Sequence, residues 1–266
     1  MADIAGDSIS ERLSTHTPVI VVDSMQVYKE IPIITNQKRL RPAELTGVVS
    51  VSEEWTMARH RQACDDIIND VNGPFVLDAG TGMYLNTILL DITIAPRASP
   101  EVRQRAELAT TRRENPRRAA RELELEISGS ESRGSIWDGG TRFDLEILYL
   151  RPSKDVLDSA IERRSVKICQ EGQKEVENLV AQFPDEIPNR SARDSIGVKE
   201  FVEYEKGQLS LAEAQQRIMV RTRRLARRQT RWFDKLARTL KDRAVIHVLE
   251  NPMTAEKSVQ HYVHKL

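Results

Sequence analysis

Two short strings hold residue types able to do chemistry. Asp23-Ser24-Met25-Gln26-Val27-Tyr28 follows the aliphatic run at 18–22, and Asp78-Ala79-Gly80-Thr81-Gly82-Met83-Tyr84 follows a second run at 73–77. A carboxylate at Asp23 is ionised at neutral pH, since an unperturbed Asp titrates near ~3.9, and could take a proton from a substrate or hold a magnesium-bound water. The same residue could equally cap a following helix. At Gly80-Thr81-Gly82, two glycines around a hydroxyl let backbone N–H groups and the Thr oxygen approach an anion at a helix start; a tight strand-to-helix turn has the same composition.

A third feature is electrostatic. Residues 217–243 contain eleven basic residues and two acidic ones, and because the whole chain has 40 of each sign, the remainder is acidic by the same excess. Arg217, Arg221, Arg224, Arg228, Arg231, Lys235 and Arg238 recur at alternating steps of four and three, which places them on one face of a helix. Ile218, Leu225, Trp232 and Leu236 form the neighbouring apolar stripe. Most charge runs are solvated faces, but nine of the eleven basic residues are Arg, whose planar fork suits bidentate phosphate contacts. The helix fits an anionic partner, a diphosphate or a nucleic acid.

The elements that must position these groups read as an α/β pattern. Runs at 18–22, 73–77, Glu146–Leu150 and 244–249 are short and aliphatic, as buried parallel strands are. Between the first two, Trp55, Ala58, Ala63, Ile67 and Ile68 mark a helix over 52–70, stopped by Asn72-Gly73-Pro74, so strand, helix and strand form a right-handed parallel unit. Helices are expected at 99–127 with a break at Asn115-Pro116, and at 154–182, 191–206 and 211–243. Residues 128–140 have loop composition. Residues 1–98 and 141–266 then make an α/β core ending in the basic helix, and 99–140 a short helical insert with its loop.

Composition excludes several classes. With 266 residues, 30% charged and 39% hydrophobic, and a mean hydropathy of −0.47, the chain can bury a core without staples. No apolar run approaches the ~20 residues of a membrane span, and the first seventeen residues have no secretory pattern. Cys64 and Cys169 stand far apart with no CxxC, which argues against a disulfide framework or zinc finger and for a reducing cytoplasm. His16, His60, His247, His261 and His264 lack metal spacing and read as surface or packing residues. The cysteines, Trp232 and Phe233 read as core, and Lys199 and Glu200 as helix-start structure.

Together the strings are more specific than apart. DSMQVY, then GTGMY, then Ser195-Ile196-Gly197-Val198-Lys199-Glu200, then Thr222-Arg223-Arg224-Leu225-Ala226-Arg227-Arg228-Gln229-Thr230-Arg231-Trp232-Phe233 occur in that order. In this the chain resembles the tRNA dimethylallyltransferase (IPP transferase) family, over roughly residues 18–37, 73–97 and 143–236. The resemblance implies a fold related to P-loop kinases, a parallel sheet flanked by helices with a shortened helical insert. It implies transfer of a dimethylallyl group from its diphosphate to the exocyclic amine of the adenosine beside the tRNA anticodon, with Mg²⁺, in the cytoplasm, by a monomer.

Carried over by residue, Asp23 is the general base. Ser24 and Gln26 position the flipped adenosine, Thr81 with the backbone of Gly80 and Gly82 faces the diphosphate, and Arg164 contacts it. Arg224, Arg228 and Gln229 lie on the substrate side of the basic helix. An aromatic amine is a poor nucleophile and diphosphate leaves well only when its charge is met, which is the work expected of Arg, Mg²⁺ and N–H donors.

The chain also departs from the family. No GxxxxGK[ST] phosphate loop precedes DSMQVY, no lysine precedes Lys29, no His-His pair follows Ile33-Ile34-Thr35-Asn36-Gln37, and the insert keeps only Asn115-Pro116-Arg117-Arg118-Ala119-Ala120-Arg121. A helix is expected at 8–13. A sheet without its first, central strand would orphan backbone groups, so the polypeptide is expected to be poorly stable or inactive alone, with a strand and phosphate loop encoded upstream. Two other functions fit the same residues: a tRNA-binding relic without diphosphate affinity, and prenylation of free adenine nucleotides. A generic ATPase is disfavoured by the missing loop.

Overall fold

The computed structural model describes residues 17–94, 98–110, 116–129 and 135–250. β1, Val19–Val22, has all four residues buried, as an uninterrupted β-branched run requires when both faces of a parallel strand are covered. β2, Val76–Ala79, lies parallel to it, with Val19 opposite Val76 and Val22 opposite Ala79. On the other edge, Val21 N donates to Glu44 O at 3.0 Å and Glu44 N to Val19 O at 2.8 Å, so β1 is bonded on both sides.

The second strand begins later than the expected 73–77. Gly73 has φ 154° and still belongs to the turn, and Pro74 has no N–H to give a ladder. Asp78 and Ala79 are therefore strand residues, and Gly80 is the first residue beyond.

Between the strands run α1, Pro32–Thr35, and α2, Met57–Asp70. The helix expected from residue 52 starts at 57 because the Thr56 side chain caps it, accepting from Arg59 N at 3.1 Å. Its buried face is His60 and Cys64, with Trp55 just ahead of it, while Ala58 is exposed. Trp55 Nε1 donates to His60 Nδ1 at 3.0 Å, and burial lowers the His60 pKa to about 4, so the ring stays a neutral acceptor. His60 is a packing residue, as its spacing suggested. Burial likewise pushes the Cys64 thiol up to about 12, which suits a core side chain and not a nucleophile.

α3, Gly82–Leu89, leaves β2, and the insert supplies α4, Pro100–Thr110, and α5, Pro116–Ile127, packed on each other. β3, Glu146–Leu150, pairs in parallel with β4, Val245–Leu249. The expected helix at 154–182 is α6, Lys154–Lys167, a π-helical turn Ile168–Gly172 and α7, Gln173–Gln182, run together. The helix expected at 191–206 divides into α8, Arg190–Arg193, and α9, Val198–Glu205. Gly197 between them has φ 103°, and a Cβ there would sit 3.2 Å from Ile34 Cγ2, so both conformation and space call for glycine.

α10, Leu211–Leu240, is the longest element and stops three residues before the expected end. Its buried residues are Ala214, Ile218, Thr222, Leu236 and Leu240. Leu225 lies in the same helical sector yet is 36% exposed, because the described elements leave that turn uncovered. The expected helix at 8–13 and residues 130–134 of the loop lie outside the described residues.

Among the described residues the parallel strands form two pairs, β1–β2 and β3–β4. α10 joins them. Gln229 Nε2 donates to Gly80 O at 2.7 Å beyond β2, and one residue later Thr230 O accepts from the Tyr149 hydroxyl of β3 at 3.3 Å. Near the start of both strands, Phe75 and Phe143 meet edge to face at 5.2 Å. No described helix is long and apolar enough to cross a membrane.

The start of α10 is set by a capping box: Ser210 Oγ accepts from Glu213 N at 3.3 Å and Glu213 Oε2 from Ser210 N at 2.8 Å. Ser210→Ala is expected to lower stability by about 1 kcal/mol. A urea midpoint lowered at constant m-value would show it.

Candidate active site

The chain leaving β1 turns sharply at Asp23. Asp23 Oδ1 accepts from Met25 N at 2.8 Å and Gln26 N at 3.2 Å, so one carboxylate oxygen holds a local turn. No helix starts there, since the next one is α1 at Pro32, and the helix-cap alternative gives way to this turn. The other oxygen points to the GTG turn, where Thr81 Oγ1 donates to Asp23 Oδ2 at 3.4 Å. Oδ1 is thus taken up by the turn, and Oδ2 lies on the side of the Thr81 hydroxyl.

Thr81 occupies the N-cap position of α3, but its side chain makes no capping bond there. Its hydroxyl turns to the Asp23 loop instead, accepting from Ser24 N at 3.1 Å and lying 3.4 Å from Ser24 Oγ. The two loops are also tied through backbone: Gly80 N and Thr81 N donate to Val22 O at 3.2 and 3.1 Å. The parallel register makes this possible, because Val22 opposite Ala79 brings both strand ends to the same level.

Asp23 carries a raised pKa. Burial is the largest cause, opposed by the Met25 and Gln26 N–H groups, the Thr81 hydroxyl and the nearby charge of Arg164. Arg164, on α6, directs Nη2 to Ile34 O at 2.9 Å. The structure therefore brings Asp23, Ser24, Gly80, Thr81 and Gln229 into one bonded cluster and places Arg164 at its margin. Burial also pushes the Tyr84 hydroxyl above its ordinary range.

Gly80 and Gly82 are required by close approach. A Cβ on Gly80 would lie 2.4 Å from Asp23 Oδ2, and one on Gly82 would lie 2.1 Å from Trp232 Cδ1. Trp232 is packing, as expected: Nε1 donates to Asn86 Oδ1 at 3.1 Å, and its ring meets Trp137 at 4.9 Å. Gly80→Ala is expected to displace the Asp23 carboxylate and lower kcat/KM about 100-fold, the scale of a 1 Å misplacement, while the melting temperature changes little. A steady-state comparison with the unaltered protein measures it.

Sequence reading missed three positioning side chains. Arg39 Nη1 donates to Asp78 Oδ2 at 2.6 Å and Nη2 to Gln26 Oε1 at 3.0 Å. Glu175 accepts from Ile33 N at 2.7 Å and Ile34 N at 3.0 Å, holding α1. Asn86 links Trp232 to Ile136 O. Only Asp78 left a signal, a lone carboxylate inside an aliphatic strand, which must find a partner when buried.

The basic face is partly committed. Arg217 pairs with Glu203 at 2.7 Å, Arg221 with Glu200, and Arg223 with Asp158 at 3.3 Å. Arg224, Arg227 and Arg228 stay exposed with no acidic partner among the described residues. No described group of three His, Cys, Asp or Glu side chains is gathered for a metal.

A family model described as IPP transferase matches residues 26–115 and 106–236. The chain belongs to the IPP transferase family. A relative from Rubrobacter xylanophilus, named tRNA dimethylallyltransferase, is 49% identical over 255 residues, covering 95% of this chain and 87% of its own. A namesake from Rickettsia bellii is 28% identical over 251 residues, covering 81% and 79%. Among solved structures, the full-length tRNA isopentenylpyrophosphate transferase of Bacillus halodurans superimposes with TM-score 0.71 at 22% identity, over 99% of this chain and 92% of that one. A eukaryotic dimethylallyltransferase acting on tRNA gives TM-score 0.73 at 22% identity, over 98% of this chain and 74% of that one. The expected α/β architecture is therefore the family fold. The family match takes in Gln26, Gly80, Thr81, Gly82, Arg164 and the exposed arginines of α10.

Proposed function

We propose that this protein transfers a dimethylallyl group from dimethylallyl diphosphate to the exocyclic amine of the adenosine adjacent to the tRNA anticodon. The observation that carries this reading is the meeting of its distinctive strings, with Asp23 bonded to Thr81 and Gln229 of the basic helix bonded to Gly80. A relative of nearly half identity with that printed name supports it.

The chemistry follows from these groups. The amine nitrogen bonds to the allylic carbon, the carbon–oxygen bond to diphosphate breaks, and the amine proton passes to Asp23 Oδ2, the oxygen not occupied by backbone N–H groups. The leaving diphosphate is met by the N-terminal turn of α3, which begins at Gly82, with Arg164 nearby as the cation, while the Gly80 and Thr81 N–H groups stay bonded to Val22 O. Oxygen donors suit Mg²⁺, and the Thr81 hydroxyl beside Asp23 is the protein oxygen that would hold the ion together with diphosphate oxygens. Bound there, it would neutralise charge on the leaving group. Arg224, Arg227 and Arg228 meet the RNA backbone, and a loop nucleotide leaves its stack at lower cost than a paired one.

The test is a transfer assay with dimethylallyl diphosphate, Mg²⁺ and unmodified tRNA. Modified adenosine should form, and AMP should compete poorly against tRNA. Salt-steep tRNA binding with no diphosphate affinity and no product would overturn transfer in favour of a binding relic. Strong competition by AMP would move the substrate to free nucleotides.

A further inference from the structure

Asp78 is a charged residue in a buried parallel strand, and its partner is Arg39, 39 positions away; the two side chains are only 5% and 4% exposed. What the pair accomplishes is seen at the other arm of the guanidinium. Arg39 Nη2 lies 3.0 Å from the Gln26 side chain. A guanidinium has donors only, so the amide can face it only through Oε1. The amide orientation is thereby fixed by chemistry, with Nε2 and its two N–H bonds turned the other way. No described residue accepts from Nε2. The Gln26 backbone is held as well, N by Asp23 Oδ1 at 3.2 Å and O by Gly47 N at 2.8 Å, so the residue is rigid in the same turn as the proposed base. Arg39 also lines a groove of about 470 Å³ with Gln37, Arg41 and Thr46.

We infer that Arg39 and Asp78 are positioning residues that lock the Gln26 amide as a hydrogen-bond donor, so that the site reads a ring-nitrogen acceptor beside the amine presented to Asp23. This rests on the adenosine-alkylating reading above. Adenine has such an acceptor on each side of its amine, N7 and N1, and a nearby donor would set the base so that the amine faces Asp23. Uracil has no exocyclic amine, and the amine of guanine has an acceptor, N3, on one side only, with the N1–H donor on the other.

The experiment titrates fluorescent anticodon stem–loops carrying adenosine, 1-deazaadenosine or 7-deazaadenosine at the modified position, alongside transfer assays. The unaltered protein should bind one deaza analogue about tenfold more weakly than adenosine, the loss of one hydrogen bond to a fixed donor. Gln26→Glu keeps an acceptor for Arg39 but has no N–H; it should weaken adenosine binding similarly and cease to discriminate the analogue. Arg39→Met alone strands a buried carboxylate, so the pair Arg39→Met with Asp78→Leu is used, where both charges leave together. That pair should raise KM more than it lowers kcat, and should have no further effect in a Gln26→Ala background.

Equal binding of all three stem–loops by the unaltered protein, or an undiminished effect of the pair in the Gln26→Ala background, overturns the inference. Absence of transfer with the binding pattern intact overturns the alkylation reading and leaves the positioning role standing. Failure of the unaltered protein to bind any stem–loop overturns both.

Discussion

Asp23→Asn is expected to lower kcat for transfer by about 10²- to 10⁴-fold, the usual contribution of a positioned general base. The substitution keeps the shape and leaves one oxygen to accept from Met25 N and Gln26 N, so the turn survives. Stem–loop affinity should change less than threefold, because phosphate contacts from α10 supply most of the binding. The pH profile gives the second half of the test. The base must be ionised, and burial raises the pKa of Asp23, so kcat should fall as pH drops through a value above the ordinary ~3.9 of an aspartate. In the Asn variant this acid limb should vanish. An Asn variant with undiminished turnover, or an unaltered protein with no acid limb above the ordinary carboxylate range, contradicts the role given to Asp23.

Arg221→Met is expected to cost about 3 to 5 kcal/mol of stability, a large part of the ~5 to 15 kcal/mol that a domain possesses. Arg221 reaches from α10 to Glu200 and to the carbonyls of Asp194 and Ser195. Glu200 is 3% exposed at its side chain, and its second oxygen accepts from Gly197 N at 2.8 Å. Removing the guanidinium leaves a buried carboxylate with one neutral donor. Glu200→Gln in the same chain removes the stranded charge and should recover at least half of the loss, since a Gln oxygen still accepts from Gly197 N. Urea unfolding of the single and double variants measures both. A single-variant loss below 1 kcal/mol would show that the ion pair merely decorates the surface.

Much of the site was legible because its signals are local. An aliphatic run followed by a carboxylate, a glycine-flanked hydroxyl and a periodic basic helix are each written within a few residues, and helix and strand periodicity act over that same range. The continuous helix over 154–182 and the capped start of α10 follow from such local preferences, and the resemblance in ordered motifs led to the family that the chain belongs to. Boundaries were less legible: Thr56 moved a helix start and Gly73 delayed a strand through side-chain and backbone geometry that composition shows only in outline.

What the tertiary structure decided were the choices between equal local readings. In sequence Asp23 could cap a following helix or act as a base, and the packed chain has it hold a turn through Oδ1 with Oδ2 toward Thr81. The Thr81 hydroxyl, an anion contact or part of a tight turn in sequence, turns to Ser24 and Asp23. The arginine face was uniform in sequence, yet Arg217 and Arg221 face carboxylates of α9 while Arg224 and Arg228 face solvent. Arg39 and Asp78 gave no joint signal at all, being 39 positions apart. Sequence spacing sets which side chains share a face of one element, whereas an ion pair or a shared proton depends on two elements meeting at hydrogen-bond distance, and only the packed chain brings them there.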